Sequence, residues 1–206
     1  MSHTSTVPHH EHRDYEGSKL GMWLFLFTEI LLFGGLFILY SANRARYPIE
    51  FHNGGQHLNV VIGVANTIIL LTSSLTVALS ISAIRKSDRK ISIRGLAATI
   101  VLGVAFLINK YIEWSAEIHN GLYPNSPVLT QRPHGDQIFF GLYYSMTGLH
   151  GLQVVAGIIL LSIMLILMIR QRITSTDFNK LENAGLYWHL VDVIWIFLLP
   201  LFYLAA

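Results

Sequence analysis

Long apolar blocks alternate with short polar segments along most of the chain. Five blocks reach the roughly 20 residues that an α-helix needs to cross a bilayer. They are continuous runs without the strict apolar–polar alternation of a half-buried strand. The pattern predicts an all-α fold, a polytopic membrane bundle of five transmembrane helices. The blocks lie at about 20–40, 57–84, 95–118, 137–170 and 185–205.

The segment before the first block is polar. We expect residues 1–18 to form a tail that is disordered or binds a partner, and residues 19–206 to form one membrane domain. No cleavable signal pattern precedes the first block, which predicts that this span directs its own insertion. The tail histidines are compatible with weak metal binding or with a solvated tail. They are His3, His9, His10 and His12.

Composition supports a membrane protein and removes several kinds of site. Of the 206 residues only 13% are charged, about half of the typical ~25%. The absence of cysteine excludes disulfides, thiolate metal sites and covalent c-type haem attachment. No phosphate-binding loop, nucleophile elbow or dinucleotide fingerprint is present. We therefore expect no catalytic residues, membrane lipids as partners and no nucleic acid.

The distribution of Lys and Arg predicts the orientation. With the N-terminus inside, the inner segments carry ten of these residues and the outer segments carry three. Basic residues in short loops favour the inner side. The chain is therefore expected to have its N-terminus inside and its C-terminus outside.

Glu29 interrupts the first apolar block and is the strongest candidate for a buried carboxylate. A charged group at the centre of a membrane helix costs roughly 2.5–3.5 kcal/mol even on lenient scales. The neighbouring positions on its helical face are apolar, so a partner must come from another helix or another chain. A hydroxyl of the second span, Ser73 or Ser74, lies at a similar predicted depth.

The second span carries polar residues at intervals of seven. A stripe of small and hydroxyl residues marks a packing seam between membrane helices. We favour that interpretation over a polar permeation path. The residues are Asn59, Asn66, Ser73 and Ser80.

Three charged residues end the third span. Lys110, Glu113 and Glu117 are spaced to share one helical face, near the predicted outer interface. They form either an interfacial ion pair with a snorkelling lysine or a contact with a partner subunit or a lipid head group.

The last two spans contain the remaining buried candidates. His150 of the fourth span is isolated, which favours a packing role over a metal ligand. In the fifth span a carboxylate and an imidazole share a face with two tryptophans. This face predicts an internal lipid site or a buried helix contact. Its residues are Trp188, His189, Asp192 and Trp195.

Together these motifs resemble the cytochrome c oxidase subunit III family. The segment from Tyr187 to Trp195 is similar to its W-H-x-x-D-x-x-W pattern, and Thr147 to Gly151 to its T-G-x-H-G segment. Thr28-Glu29 resembles the segment that bears the family's buried carboxylate. Gln153 stands where the family has a second histidine.

The resemblance implies the five-span bacterial form, with a V-shaped lipid cleft, bound phospholipid and an inner-membrane location. It implies a non-catalytic subunit of a proton-pumping haem-copper oxidase. Such a subunit packs on subunit I and other oxidase subunits, which carry the haem and copper, and it stabilises subunit I and supports proton uptake. Glu29 matches the family's carboxylate near this contact, in either a structural or a proton-supplying role, of which we favour the structural one. No metal is expected in this chain.

Three alternatives remain open at this point. Subunit III of a quinol oxidase and an accessory subunit of nitric oxide reductase have similar motifs. A freestanding proton-coupled transporter would use Glu29, Asp192 and His150 as a relay, but it predicts internal repeats and broken helices, which the sequence lacks.

Overall fold

The computed structural model describes residues 15–175 and 177–204. The described part is helical and contains no strand. Five helices are long and apolar enough to cross a membrane, which confirms the predicted bundle. The helices are α1 (Tyr15–Arg46), α2 (Pro48–Gln56), α3 (Val60–Arg85), α4 (Arg89–His119), α5 (Pro127–Thr130), α6 (His134–Ile169) and α7 (Asn179–Leu199), and a π-helical segment follows at Pro200–Leu204.

The first described residues belong to α1. Helix α1 begins at Tyr15, and Ser18 within it accepts a hydrogen bond from Asn183 of α7. The four tail histidines and the metal they were considered for lie outside the described residues.

Helices α3 and α4 form an antiparallel hairpin with a short connection. The side chain of Asn59 caps α3 by accepting from the amides of Val61 and Ile62, and Asp88 caps α4 by accepting from Ile91. These oxygens satisfy amides that a helix start leaves without partners.

The polar stripe of α3 is a packing seam, as predicted. Asn66 accepts a hydrogen bond from Asn109 of α4 at 3.0 Å, and Ser80 donates to the Ser92 carbonyl at 2.8 Å. Ser73 accepts from the Trp188 indole of α7 at 3.0 Å. Small hydroxyl side chains let the helices approach closely and satisfy each other's polar groups.

Helix α1 packs on the rest of the chain through one narrow stripe. Leu26, Phe33 and Tyr40 are its buried apolar residues, and they recur every seven positions. This spacing is that of a left-handed helix–helix seam. Helix α1 contacts α2, α6 and α7, so most of its surface faces away from the chain.

Aromatic residues close the outer end of the bundle. The Tyr40 ring lies edge-on to Phe51 of α2 and to Phe202 of the π-helical segment. Gly54 of α2 lies so close to Phe139 that a Cβ there would sit 2.4 Å from its ring. This close approach explains the glycine at position 54, although glycine is a poor helix former.

Candidate functional site

Glu29 lies within the α1 seam and has a partner on another helix, as predicted. The Gln153 side-chain amide of α6 donates a hydrogen bond to the Glu29 carboxylate. Glu29 is half-buried. Tyr187 of α7 lies beside this pair and donates its hydroxyl to the Gln153 backbone carbonyl at 3.0 Å. The carboxylate therefore ties α1 to α6.

The hydroxyl partner that the sequence suggested for Glu29 is wrong. Ser74 is hydrogen-bonded to His189 Nδ1 at 2.6 Å, and Ser73 accepts the Trp188 indole N–H. Both serines face α7, because α3 packs on α7 and α4 whereas α1 does not contact α3 closely.

Lys110 lies inside the bundle at the centre of a hydrogen-bonded cluster. Its ammonium donates to Glu113 at 3.1 Å, to Tyr143 at 3.1 Å and to Tyr203 at 3.0 Å. The hydroxyls of Tyr143 and Tyr203 both donate to the other Glu113 oxygen. All three donors of the ammonium are thus satisfied.

This geometry corrects the expectation of a snorkelling interfacial lysine. The Lys110 side chain is only 9% exposed and that of Glu113 only 2%. Lys110 also lies over the Trp195 ring, 5.3 Å from its centroid. A buried ion pair persists where additional hydrogen bonds offset desolvation, and the two tyrosines supply them.

Glu117 shares the predicted face but does not join the hydrogen-bonded cluster. Glu117 as a whole is only 6% exposed. Within the described part of the chain, its Oε2 atom has no hydrogen-bond partner. The spacing predicted a cluster of three charged residues. The structure instead has an ion pair of Lys110 and Glu113, with the Glu117 carboxylate outside it.

The α7 motif is largely a buried helix contact, which corrects the lipid alternative for three of its residues. Trp188 and Trp195 are fully buried and Asp192 is 3% exposed. The Trp195 indole donates to Thr67 of α3 at 3.0 Å. Only His189 reaches a surface groove.

His150 is packed between aromatic rings. It stacks on Trp195 at 5.3 Å between centroids and lies edge-on to Phe106 at 5.5 Å. Neither ring nitrogen has a hydrogen-bond partner among the described residues. This environment supports the predicted packing role of His150. A lipid contact of His150 is not possible here, because the residue is fully buried.

A groove of about 390 Å³ opens between α1 and α3, with α7 as its floor. Its inner end has two cations, Lys19 and Arg85, around one carboxylate, Glu182. Its walls are partly apolar, with Trp23 and Leu186. The arrangement suits an amphiphile with an anionic head group.

Sequence reasoning missed Gln153 and Tyr203 as site residues. Gln153 was considered only as the residue that replaces the family's second histidine. A polar side chain in a long apolar run nevertheless predicts an internal partner. Tyr203 lies next to the chain's end beyond Pro200, and nothing in its local pattern points to Lys110, which is 93 residues away.

Comparison with known proteins gives a consistent result over the whole length. The family model described as cytochrome c oxidase subunit III matches residues 1–206. Cytochrome c oxidase subunit 3 of Alkalihalophilus pseudofirmus is 34% identical over 206 residues, which cover 96% of this chain and 92% of that protein.

Two further relatives are longer than this chain. Cytochrome c oxidase subunit 3 of Allomyces macrogynus is 34% identical over 202 residues, and the match spans 66% of its length. The protein named heme-copper oxidase subunit I+III from Aeropyrum pernix is 26% identical over 209 residues, and the match covers 24% of it.

Proposed function

The chain belongs to the cytochrome c oxidase subunit III family and is a membrane subunit of a haem-copper oxidase, and on this premise we propose that it is a non-catalytic subunit that stabilises subunit I. The observation that carries the proposal is the family match over the whole chain. The quinol oxidase, nitric oxide reductase and transporter alternatives are not favoured, because the relatives named above are oxidase subunits.

Subunit I is the proposed direct partner. The Aeropyrum pernix relative joins subunits I and III in its name, which supports direct contact between the two. In this chain the outward face of α1 is apolar and largely exposed, with Phe27 and Leu31 57% and 58% exposed. We assign this face to the contact with subunit I.

The redox groups belong to the partner subunits in this proposal. Haem-copper chemistry needs several histidines that converge on one site. The described residues contain no group of three potential ligands among His, Cys, Asp and Glu. His150 is enclosed by Trp195 and Phe106, so its ring nitrogens are not open to a haem or a copper ion. The described residues therefore do not fit these groups.

Glu29 has a structural role in this proposal. Its hydrogen bond from Gln153 fixes α1 against α6, and it thereby holds the outward face of α1 in position. Proton uptake by subunit I is then sustained indirectly, through the shape of the contact. The competing role, in which Glu29 itself supplies or buffers protons, predicts a different mutant phenotype.

The groove over α7 is the proposed phospholipid site of this subunit. Two cations around one carboxylate leave a net positive charge at its inner end, which complements a phosphate. His189 and Asn183 add polar groups along its wall. Of the α7 motif, only His189 is therefore proposed to contact this lipid, and it does so from the wall of the groove.

The chain is a multi-pass membrane protein, and we propose the cytoplasmic membrane of a bacterium as its location. The bacterial relative from Alkalihalophilus pseudofirmus, of which the match covers 92%, supports this location. The predicted orientation, with the N-terminus inside, stays a prediction.

Purification of the assembled oxidase tests the proposal. An affinity tag on this chain should recover haem-bearing subunits in a fixed ratio, and the chain separated from them should retain neither haem nor copper. Stoichiometric haem or copper on the separated chain would refute a non-catalytic role.

Turnover against pH separates the two roles of Glu29. Glu29→Gln keeps the shape and the hydrogen-bonding capacity but removes the titratable group. We expect the assembled Gln form to turn over like wild type at every pH, and Glu29→Ala to loosen the complex modestly, so that less of the subunit is retained during purification. Slowed turnover or early inactivation of a fully assembled Gln form, strongest at high pH, would assign the proton role instead.

A further inference from the structure

A second groove, separate from the one over α7, runs between α4 and α6. It has a volume of about 350 Å³ and is almost entirely apolar, within the range of ligand pockets. Its walls are Leu107 and Trp114 of α4 and Leu152 and Val155 of α6, and its floor includes Gly148 and Gly151. A Cβ added at Gly151 would meet nothing within 4 Å, so the groove is open there.

The groove leads to a polar end. The groove is lined by positions 107, 110 and 114 of α4 and by positions 155, 151 and 148 of α6. In each case the order runs toward the polar end, since the two helices run in opposite directions. The next positions in the same register, three and four residues on, are Glu117 and Tyr144. The rings of Trp114 and Tyr144 lie 5.3 Å apart, which places these two side chains together at this end.

Three polar atoms at this end are buried and lack hydrogen-bond partners within the described chain. They are Trp114 Nε1, Glu117 Oε2 and the Tyr144 hydroxyl. Buried polar groups are almost always hydrogen-bonded, and each one left unpaired costs about 1–3 kcal/mol. A set of three at the end of one groove therefore indicates a missing ligand.

Lys110 makes no hydrogen bond to Glu117 among the bonds of its ammonium. The three donors of its ammonium are used by Glu113, Tyr143 and Tyr203. Because Glu113 already balances the charge of Lys110, the Glu117 carboxylate contributes an additional negative charge. The polar end thus presents one anionic acceptor and two neutral donors.

We propose that this groove binds one acyl chain of a phosphatidylethanolamine-type lipid, with the ammonium on Glu117 and phosphate or ester oxygens on Trp114 and Tyr144. A zwitterionic head group offers the complementary set, a cationic donor beside anionic and carbonyl acceptors. A glycerol head group would bring a phosphate to Glu117 without a cation to offset it. The site lies on this chain alone and does not depend on the function proposed above.

Filling the groove tests the acyl-chain part. Gly151→Leu places a side chain in the open space, and Ala156→Leu adds the same side chain at an exposed position of α6 outside the groove. Native mass spectrometry of the detergent-purified oxidase should detect one phosphatidylethanolamine fewer in the Gly151→Leu form than in wild type or the Ala156→Leu form. Equal lipid retention in all three would overturn the proposal, as would a helix of another subunit found in the groove.

Removing the charge tests the head-group part. Wild-type oxidase in mixed nanodiscs should retain phosphatidylethanolamine over phosphatidylglycerol by about tenfold, the value of a charge-assisted hydrogen bond of roughly 1.5 kcal/mol. Glu117→Gln should abolish this preference while leaving the total lipid count unchanged. An unchanged preference in the Gln form, or none in wild type, would refute the assignment of Glu117 to the ammonium.

Discussion

Helices α1 and α7 differ in how much of their surface the rest of the bundle buries. In the most apolar stretch of α1 the mean hydropathy is 2.2 and 11% of the residues are buried by the chain, whereas in α7 the values are 1.7 and 50%. The more hydrophobic span is thus the less packed one. In lipid an apolar surface needs no cover, so close packing follows small and polar residues instead of hydrophobicity.

The polar residues account for the difference between the two helices. Helix α7 bonds to α3 through the indoles of Trp188 and Trp195. In the middle of its apolar seam α1 has one half-buried polar contact, from Gln153 to Glu29. Its contacts through Ser18, Lys19 and Tyr40 lie toward its two ends. We conclude that α7 is a structural centre of the bundle, whereas α1 is the surface proposed above for the contact with subunit I.

Replacing one tryptophan in each helix gives the largest expected contrast. Trp188 lies against Gly103 and Gly157, where an added Cβ would sit 2.7 Å from its ring. Trp188→Ala should lower the free energy of unfolding in detergent by about 3–5 kcal/mol, through lost packing. Trp23→Ala, at a position 60% exposed, should change it by about 0.5 kcal/mol or less. Equal losses would contradict the contrast.

Breaking the Lys110–Glu113 pair should have a somewhat smaller effect. Lys110→Met leaves a buried carboxylate without its cation, and such losses are about 3–5 kcal/mol. We expect about 3 kcal/mol, since the two tyrosines still donate to Glu113. The double variant Lys110→Met/Glu113→Gln should recover part of the loss in the same unfolding measurement. A double variant less stable than Lys110→Met would show that the carboxylate is stabilised by other groups.

The smallest effect concerns the hydrogen bond between Gln153 and Glu29 of α1. A double-mutant cycle with Glu29→Ala and Gln153→Leu should give a coupling free energy of about 0.6 kcal/mol, the average for hydrogen bonds between membrane helices. The Ser162 hydroxyl bonds only to the backbone of its own helix. A control cycle that pairs Glu29→Ala with Ser162→Ala should therefore give no coupling free energy. A coupling as large as the loss in Trp188→Ala would mean that α1 is as tightly integrated as α7.

The five spans and the α3 seam could be predicted from the sequence, for physical reasons. Spans follow from the length and apolarity that a bilayer demands. The seven-residue repeat of Asn66, Ser73 and Ser80 places these residues on one stripe whatever the partner helix is. Both features are local and need no knowledge of which helices meet.

The partners across helices could not be predicted in this way. Glu29 and Gln153 are 124 residues apart, and their contact depends on α1 lying against α6. Whether Lys110 reaches an interface or stays inside depends on the hydroxyls of Tyr143 and Tyr203. Helix α2 was not predicted either, since its glycines disfavour a helix, and the contact with Phe139 that explains Gly54 comes from α6.

Site-specific photocrosslinking in the assembled oxidase tests the partner surface of α1 most directly. A photoreactive residue at Leu31 of α1, which is 58% exposed, is compared with one at Ile159 of α6, which is 56% exposed. We predict that Leu31 crosslinks to the haem-bearing subunit I and that Ile159 crosslinks to lipid alone. Lipid adducts alone at Leu31, with subunit I captured at Ile159, would contradict the assignment of α1 as the contact surface.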